Sequence, residues 1–209
     1  MIFADRIEAG RRLAEALAHL DGEQVVVLGV PRGGVEVAAE VARARGWPLD
    51  IVIPRKVGAP MNPELGLGAI APGVRVLDER MIRQLAVSPE YLEGEIAQQE
   101  EEIRRRTEAY RGGRPPVDVA GKVAVVVDDG VATGGTAAAA LRWARAQGAS
   151  RVILAVPVAP REALTRLSEE ADEIVALATP EPFFAVGQWY ESFPQTSDRE
   201  VVDLLSRAG

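Results

Sequence analysis

The stretch Val123 to Ala139, VAVVVDDGVATGGTAAA, decides the fold. Five consecutive apolar residues, Val123, Ala124, Val125, Val126 and Val127, read as a strand buried on both faces. Such strands belong to parallel sheets covered by helices on either side. The run ends in two adjacent carboxylates, Asp128 and Asp129. Behind them Gly130, Val131, Ala132, Thr133, Gly134, Gly135 and Thr136 supply small side chains, hydroxyls and free backbone N–H groups, just before an alanine-rich helix expected from about Thr136 to Gln147. N–H groups converging at a helix N-terminus attract an anion. Carboxylates repel phosphate and favour hydroxyls or a metal, so the two halves together suit a sugar phosphate.

Upstream the same grammar recurs. Gln24 to Val30 is a second apolar strand that runs into Val30, Pro31, Arg32, Gly33 and Gly34, followed by a helix with Val35, Ala38, Val41 and Ala42 on one side. This is either a second anion loop or a plain strand-to-helix turn. Asp50 to Pro54 completes a βαβ unit, expected to be right-handed. Arg55 to Glu64 is basic, rich in proline and glycine and aperiodic, which predicts a long functional loop. Leu67 to Ile70 and Val74 to Leu77 then read as a hairpin around Ala71-Pro72-Gly73.

Asp78 to Gly113 reads as helical, with Ser88 as cap and Pro89 in the first turn. Its apolar seam, Leu92, Ile96, Ile103 and Tyr110, is narrow and faces either the core or a second subunit in a homodimer. Glu100, Glu101 and Glu102 stand four residues before Arg104, Arg105 and Arg106, which describes a solvated helix rather than a basic binding surface. At the other end, Asp5 and Glu8 form a capping-box-like start to a first helix carrying Leu13, Leu17 and Leu20, with His19 on its solvated flank. Strands at Arg151 to Pro157 and Glu173 to Leu177 with a helix at Arg161 to Leu167 continue the alternation. The expected fold class is therefore α/β, a doubly wound parallel sheet, with ligands at the carboxyl ends of its strands.

VVVDDGVATGGT resembles the ribose-phosphate loop of the type I phosphoribosyltransferases, which bind 5-phosphoribosyl-1-diphosphate (PRPP). The resemblance implies that Asp128 and Asp129 hold the ribose hydroxyls and that Ala132 to Thr136 wrap the 5′-phosphate. It makes Val30, Pro31, Arg32, Gly33 and Gly34 the diphosphate loop and Arg55 to Glu64 the mobile loop that closes over it. Arg32 and Lys56, with Arg55, are then the cations on the diphosphate, unless Arg55 and Lys56 are simply solvated surface charges. Magnesium is implied, held mainly by the substrate diphosphate with Asp128 and Asp129 as added ligands. The proline- and aromatic-rich run after Ala178 resembles the family's base-binding hood; Phe184-Ala185-Val186-Gly187 is similar to the run that stacks 6-oxopurines, with Trp189 a further platform. An aromatic mini-core sealing the sheet edge is the alternative. The expected organisation is a core over 1–178 with a helical insertion at 78–113, then a hood and terminal helix over 179–209.

Two departures bear on the acceptor. Where the 6-oxopurine enzymes carry an acid before the threonine, this chain has Ala132, closer to the adenine-type pattern. Where they carry an aspartate in the hood, it has Tyr190 and Glu191. Glu64, Glu181 and Glu191 are the substitutes available for proton transfer. The expected activity is transfer of the phosphoribosyl group from PRPP to a nitrogenous base with release of diphosphate. The alternatives are a non-catalytic PRPP- or nucleotide-sensing regulator, and more remotely a hydrolase.

Composition narrows the classes further. A net charge of −7 and a pI near 5.0 argue against a nucleic-acid or anionic-membrane partner. With no cysteine and a single histidine, disulfides are excluded and a Cys/His zinc site nearly so. There is no basic-then-apolar leader and no long apolar run, so a cytoplasmic location is the expectation. Neither glycine loop has Walker A or GxGxxG spacing, and one histidine does not assemble a nucleophilic triad.

Overall fold

The computed structural model describes residues 1–208. Its centre is a five-stranded, all-parallel sheet in the order β2-β1-β6-β7-β8. These strands are β1 (Val25–Gly29), β2 (Leu49–Ile51), β6 (Val123–Val127), β7 (Arg151–Val158) and β8 (Glu173–Ala178). The period-2 geometry of the strands splits their side chains between two cores. Val25, Val27, Val123, Val125 and Val127 join one core with α1 (Arg6–Ala16), α2 (Gly33–Arg45), α4 (Pro89–Arg111) and α7 (Asp198–Arg207). Val26, Leu28, Ala124 and Val126 join the other with α5 (Gly135–Ala146) and α6 (Arg161–Leu167). The expected doubly wound sheet is therefore observed, and every residue of β6 is buried as its composition requires.

Topology places the site. From β1 the chain moves outward to β2, and later returns to lay β6 on the other side of β1. The strand order thus reverses between β1 and β6, which are paired in register from Val25 with Val123 to Gly29 with Val127. A crevice opens at such a switch point, outside the carboxyl ends of the strands.

Between β2 and α4 lies an antiparallel sheet of β3 (Arg55–Ala59), β4 (Asn62–Ala71) and β5 (Val74–Leu77), followed by α3 (Glu79–Gln84). The aperiodic loop expected over Arg55 to Glu64 is instead a hairpin: Lys56 pairs with Ala69, Val57 with Gly68 and Gly58 with Gly66, with register shifts on both sides of Gly58. Glycines hide the alternation that would mark the strands, and they are needed there. At Gly68, with φ +138°, a Cβ would meet the Val76 carbonyl at 2.2 Å.

The seam of α4 faces the core, with Ile96, Ile103 and Tyr110 all buried. Of the expected ladder Glu102 does meet Arg106, while the other two pairs are replaced. Glu101 meets Arg104, while Glu102 receives both Arg105 at 2.9 Å and Arg106 at 2.6 Å, and these cations pull its carboxyl down to about 2. Glu100 reaches Arg75 of β5 instead, because that guanidinium lies beside the helix. His19 also gains partners, with Nε2 2.7 Å from Glu173 and Nδ1 3.1 Å from the Ala16 carbonyl. Tyr110 donates its hydroxyl to Asp198 at 2.6 Å, tying α4 to α7; burial and that carboxylate push the phenol up to about 12. Tyr110→Phe should cost about 1 kcal/mol, read as a lower midpoint in urea unfolding at unchanged slope.

The first residues fold back onto the hood. Phe3 N–H donates to Trp189 and Glu191 N–H to Phe3, both at 2.8 Å, and Phe3, Val158 and Tyr190 form a small satellite core. Among the described residues no helix is long and apolar enough to cross a membrane.

Candidate functional site

Both glycine loops stand at the switch point. Val30 N–H donates to the Val127 carbonyl at 2.9 Å, so the two loops leave the sheet side by side. Their contact leaves no room for side chains: a Cβ on Gly33 would lie 2.0 Å from Asp129 Oδ2, and one on Gly34 would lie 2.8 Å from the Asp128 Cα. The adjacent Pro31–Arg32 peptide is cis. Glycine at 33 and 34 thus brings the start of α2 against the acids at the end of β6.

Asp128 and Asp129 differ in their surroundings. Asp128 accepts the Asp129 N–H at 2.9 Å, and desolvation and then the neighbouring Asp129 charge hold its carboxyl well above the usual carboxylate range. Asp129 is also raised by desolvation, but Arg6 opposes this, its Nε donating to Asp129 Oδ2 at 2.8 Å. Tyr190 donates its hydroxyl to the Asp129 carbonyl at 2.5 Å; burial raises its pKa and keeps it a donor. The geometry therefore favours one negative charge on the pair, seated on Asp129.

The loop from Gly130 to Thr136 divides by role. Val131 is buried in the sheet's second core and spends its N–H on Val158, so it anchors the loop. Gly130 lies against Val186, whose Cγ1 would be 2.5 Å from an added Cβ. Ala132 and Thr133 are exposed, and Gly134, in the left-handed region at φ +92°, turns the chain into α5. The first N–H groups of an α-helix have no intrahelical partner, which makes this end an anion site. Thr133, Gly134, Gly135 and Thr136 line a cleft of about 570 Å³ together with Lys56 and Arg166. Arg166 Nη2 donates to the Thr133 carbonyl at 3.0 Å.

The three candidate cations are not gathered at one point. Arg55 and Lys56 are neighbours on β3 and so face opposite sides of it. Lys56 lines the cleft beside Thr133 to Thr136 and donates to the Glu64 carbonyl. Arg55 turns to α4, donating to Gln99 at 2.9 Å, with burial and then Arg106 lowering its pKa. Arg32 lies 3.7 Å from Asp198 at the start of α7. In the hood, Trp189 stacks on Phe183 with ring centroids 6.3 Å apart, whereas Phe184 is 77% exposed. Ala185 is exposed and Val186 is packed on Gly130. Phe184 is the candidate platform that presents a free face.

A larger cleft, about 880 Å³, lies between α4 and the end of β2, bounded by Ile103 and Trp143. It touches neither glycine loop, so chemistry rather than size selects the site.

Sequence reasoning missed Arg6, Arg166 and Asp198. Arg6 left one trace: with Ala9, Gly10 and Leu13 it occupies the apolar face of α1, where a charge needs a partner. Nothing local pointed to Arg166 or Asp198.

A parallel sheet with two glycine loops and an acid pair at its switch point is suited by its chemistry to an anion beside hydroxyls. The chain belongs to the phosphoribosyl transferase domain family, whose model matches residues 3–187. Two curated proteins of Mycobacterium tuberculosis, from strains CDC 1551 and H37Rv, each named "Putative phosphoribosyl transferase", are 51% identical over 208 residues, which is 99% of this chain and 47% of theirs. The chain thus spans about half the length of these relatives. The solved structure of TT1426 from Thermus thermophilus is 49% identical, with 99% of each chain covered and a TM-score of 0.85. AQ2163 of Aquifex aeolicus, at 17% identity, shares the fold: TM-score 0.53, covering 96% of this chain and 84% of that one.

Proposed function

We propose that this protein transfers the 5-phosphoribosyl group of PRPP to a ring nitrogen of an acceptor base and releases diphosphate. The observation that carries the reading is the acid pair Asp128 and Asp129, seated between two anion loops at the switch point. In this reading the bond from ribose C1′ to the diphosphate oxygen breaks, a C1′–N bond forms, and the nitrogen's proton leaves to solvent or to a carboxylate. Positive charge develops at C1′ as the diphosphate departs. The residues act mainly by position and electrostatics. Thr133 to Thr136 hold the 5′-phosphate, Asp128 and Asp129 the ribose hydroxyls, and the Val30 to Gly34 loop with Arg32 the departing diphosphate. Lys56 closes the cleft from the β3 side. Phe184 offers its face to the base.

Magnesium suits the donor set, since two carboxylates plus substrate phosphates are a usual arrangement for it. Among the described residues no cluster of three or more His, Cys, Asp or Glu could hold an ion alone. Asp128 and Asp129 would supplement diphosphate oxygens, and the ion would neutralise charge on the leaving group.

A second reading, PRPP or nucleotide sensing without transfer, is favoured by Ala132, which leaves the loop without a proton-transfer acid. Incubating the protein with PRPP, magnesium and a panel of bases separates the readings. Base-dependent diphosphate release supports transfer; base-independent release indicates hydrolysis; binding without release indicates a sensor. Lys56→Ala should weaken PRPP binding about tenfold by calorimetry, with a reduced dependence on salt.

A further inference from the structure

Arg6 is a buried cation that the reaction as drawn does not use. It is 5% exposed, and its guanidinium has partners on several sides. Nε donates to Asp129 Oδ2 at 2.8 Å, and Nη1 donates to the Pro194 carbonyl at 2.6 Å and lies 3.7 Å from Glu36. The Phe193 ring packs beneath it, 3.8 Å from its centroid to Arg6 Cζ. Gly33 closes the remaining side: a Cβ there would lie 2.7 Å from Arg6 Nε as well as against Asp129. One guanidinium thus joins α1, the acid at the end of β6, the start of α2 and the segment between the hood and α7.

We infer that Arg6 is a positioning residue that fixes the Asp129 carboxylate for a ribose hydroxyl, making the first helix part of the sugar-binding site. The inference rests on the proposed phosphoribosyl reading. Arg6 Nε occupies Oδ2, and the second anchor of the guanidinium fork at the Pro194 carbonyl holds it in place against that oxygen. The oxygen that Arg6 does not engage is the one this inference offers to substrate. Without Arg6 the carboxylate would lose both its fixed rotamer and its counter-charge, while the phosphate cradle at Thr133 to Thr136 would be unchanged. The expected defect is therefore confined to the hydroxyl half of the ligand.

Calorimetry with inorganic phosphate and ribose 5-phosphate on wild type, Arg6→Gln and Arg6→Lys reads this split. Inorganic phosphate should bind all three equally, which also reports that the cradle is folded. The advantage of ribose 5-phosphate over phosphate should fall about tenfold in Arg6→Gln. Arg6→Lys should recover part of it, because one ammonium keeps the charge but not the fork. An undiminished advantage in Arg6→Gln overturns the role of Arg6; if that variant fails to fold, a wild-type advantage in Arg6→Lys does the same. A wild type that shows no advantage for ribose 5-phosphate instead overturns the phosphoribosyl reading beneath it.

Discussion

Replacing Asp128 and Asp129 together by asparagine should reduce phosphoribosyl transfer by about a thousandfold, the scale on which preorganised charges contribute to catalysis. The two amides keep the shape of the site but lose the charge that, in the proposed reaction, faces the ribose and the developing cation. Single-turnover assays with PRPP and the accepted base measure the loss, and unchanged turnover in the double variant would refute the assignment. Replacing Asp128 alone carries an opposite expectation for stability. Burial and the Asp129 charge raise the Asp128 carboxyl above its ordinary value of 3.8, so the folded protein holds a proton that the unfolded chain releases. Its contribution is then favourable at low pH and is lost as pH rises through the raised value. Asp128→Asn should therefore melt higher than wild type at about pH 7, with the difference closing as pH falls toward about 4. Loss of transfer in that more stable variant would mark Asp128 as a residue kept for chemistry at a cost in stability.

Gly34→Ala should reduce transfer about a hundredfold, because displacements of about 1 Å at a reacting centre have effects of that order. The new Cβ would sit 2.8 Å from the Asp128 Cα and 2.9 Å from the Val127 carbonyl. Both are backbone atoms at the end of a buried strand, so neither can turn aside. The loops must separate, moving the proposed diphosphate loop away from the acid pair. Overpacking of this kind also costs about 1–3 kcal/mol of stability. Gly94→Ala supplies the contrast. That glycine lies within α4 with nothing within 4 Å of an added Cβ, so alanine should stabilise by about 0.5–1 kcal/mol and leave transfer unchanged. Melting curves and steady-state rates on the two variants test the pair; equal rates in Gly34→Ala would show that loop contact does not matter.

How much is legible before folding follows from where each signal resides. The β6 run, the acids behind it and the glycines before α5 are contiguous in sequence, so burial, charge and turn chemistry can be read together. The hairpin at Arg55 to Glu64 reads as a loop in sequence because Gly58, Gly66 and Gly68, which make its close strand approach sterically feasible, carry no side chain to register alternation. The opposite fates of Arg55 and Lys56 follow from strand geometry, and become visible only once those residues are known to lie in a strand. Trp189 is as available as Phe184 in a bare run of aromatics, but in the folded hood Phe183 takes one of its faces.

The sequence alone determined the sheet, its two glycine loops and the acids of Asp128 and Asp129, because each depends on neighbours within a few residues along the chain. Only the tertiary structure could decide that the loops meet at Gly33 and Gly34, and that Arg6, 123 residues from Asp129, grips its carboxylate. Those contacts join segments that no local periodicity relates. They exist because the sheet reverses its strand order between β1 and β6, and because α1 and the segment after the hood fold back over the same strand end.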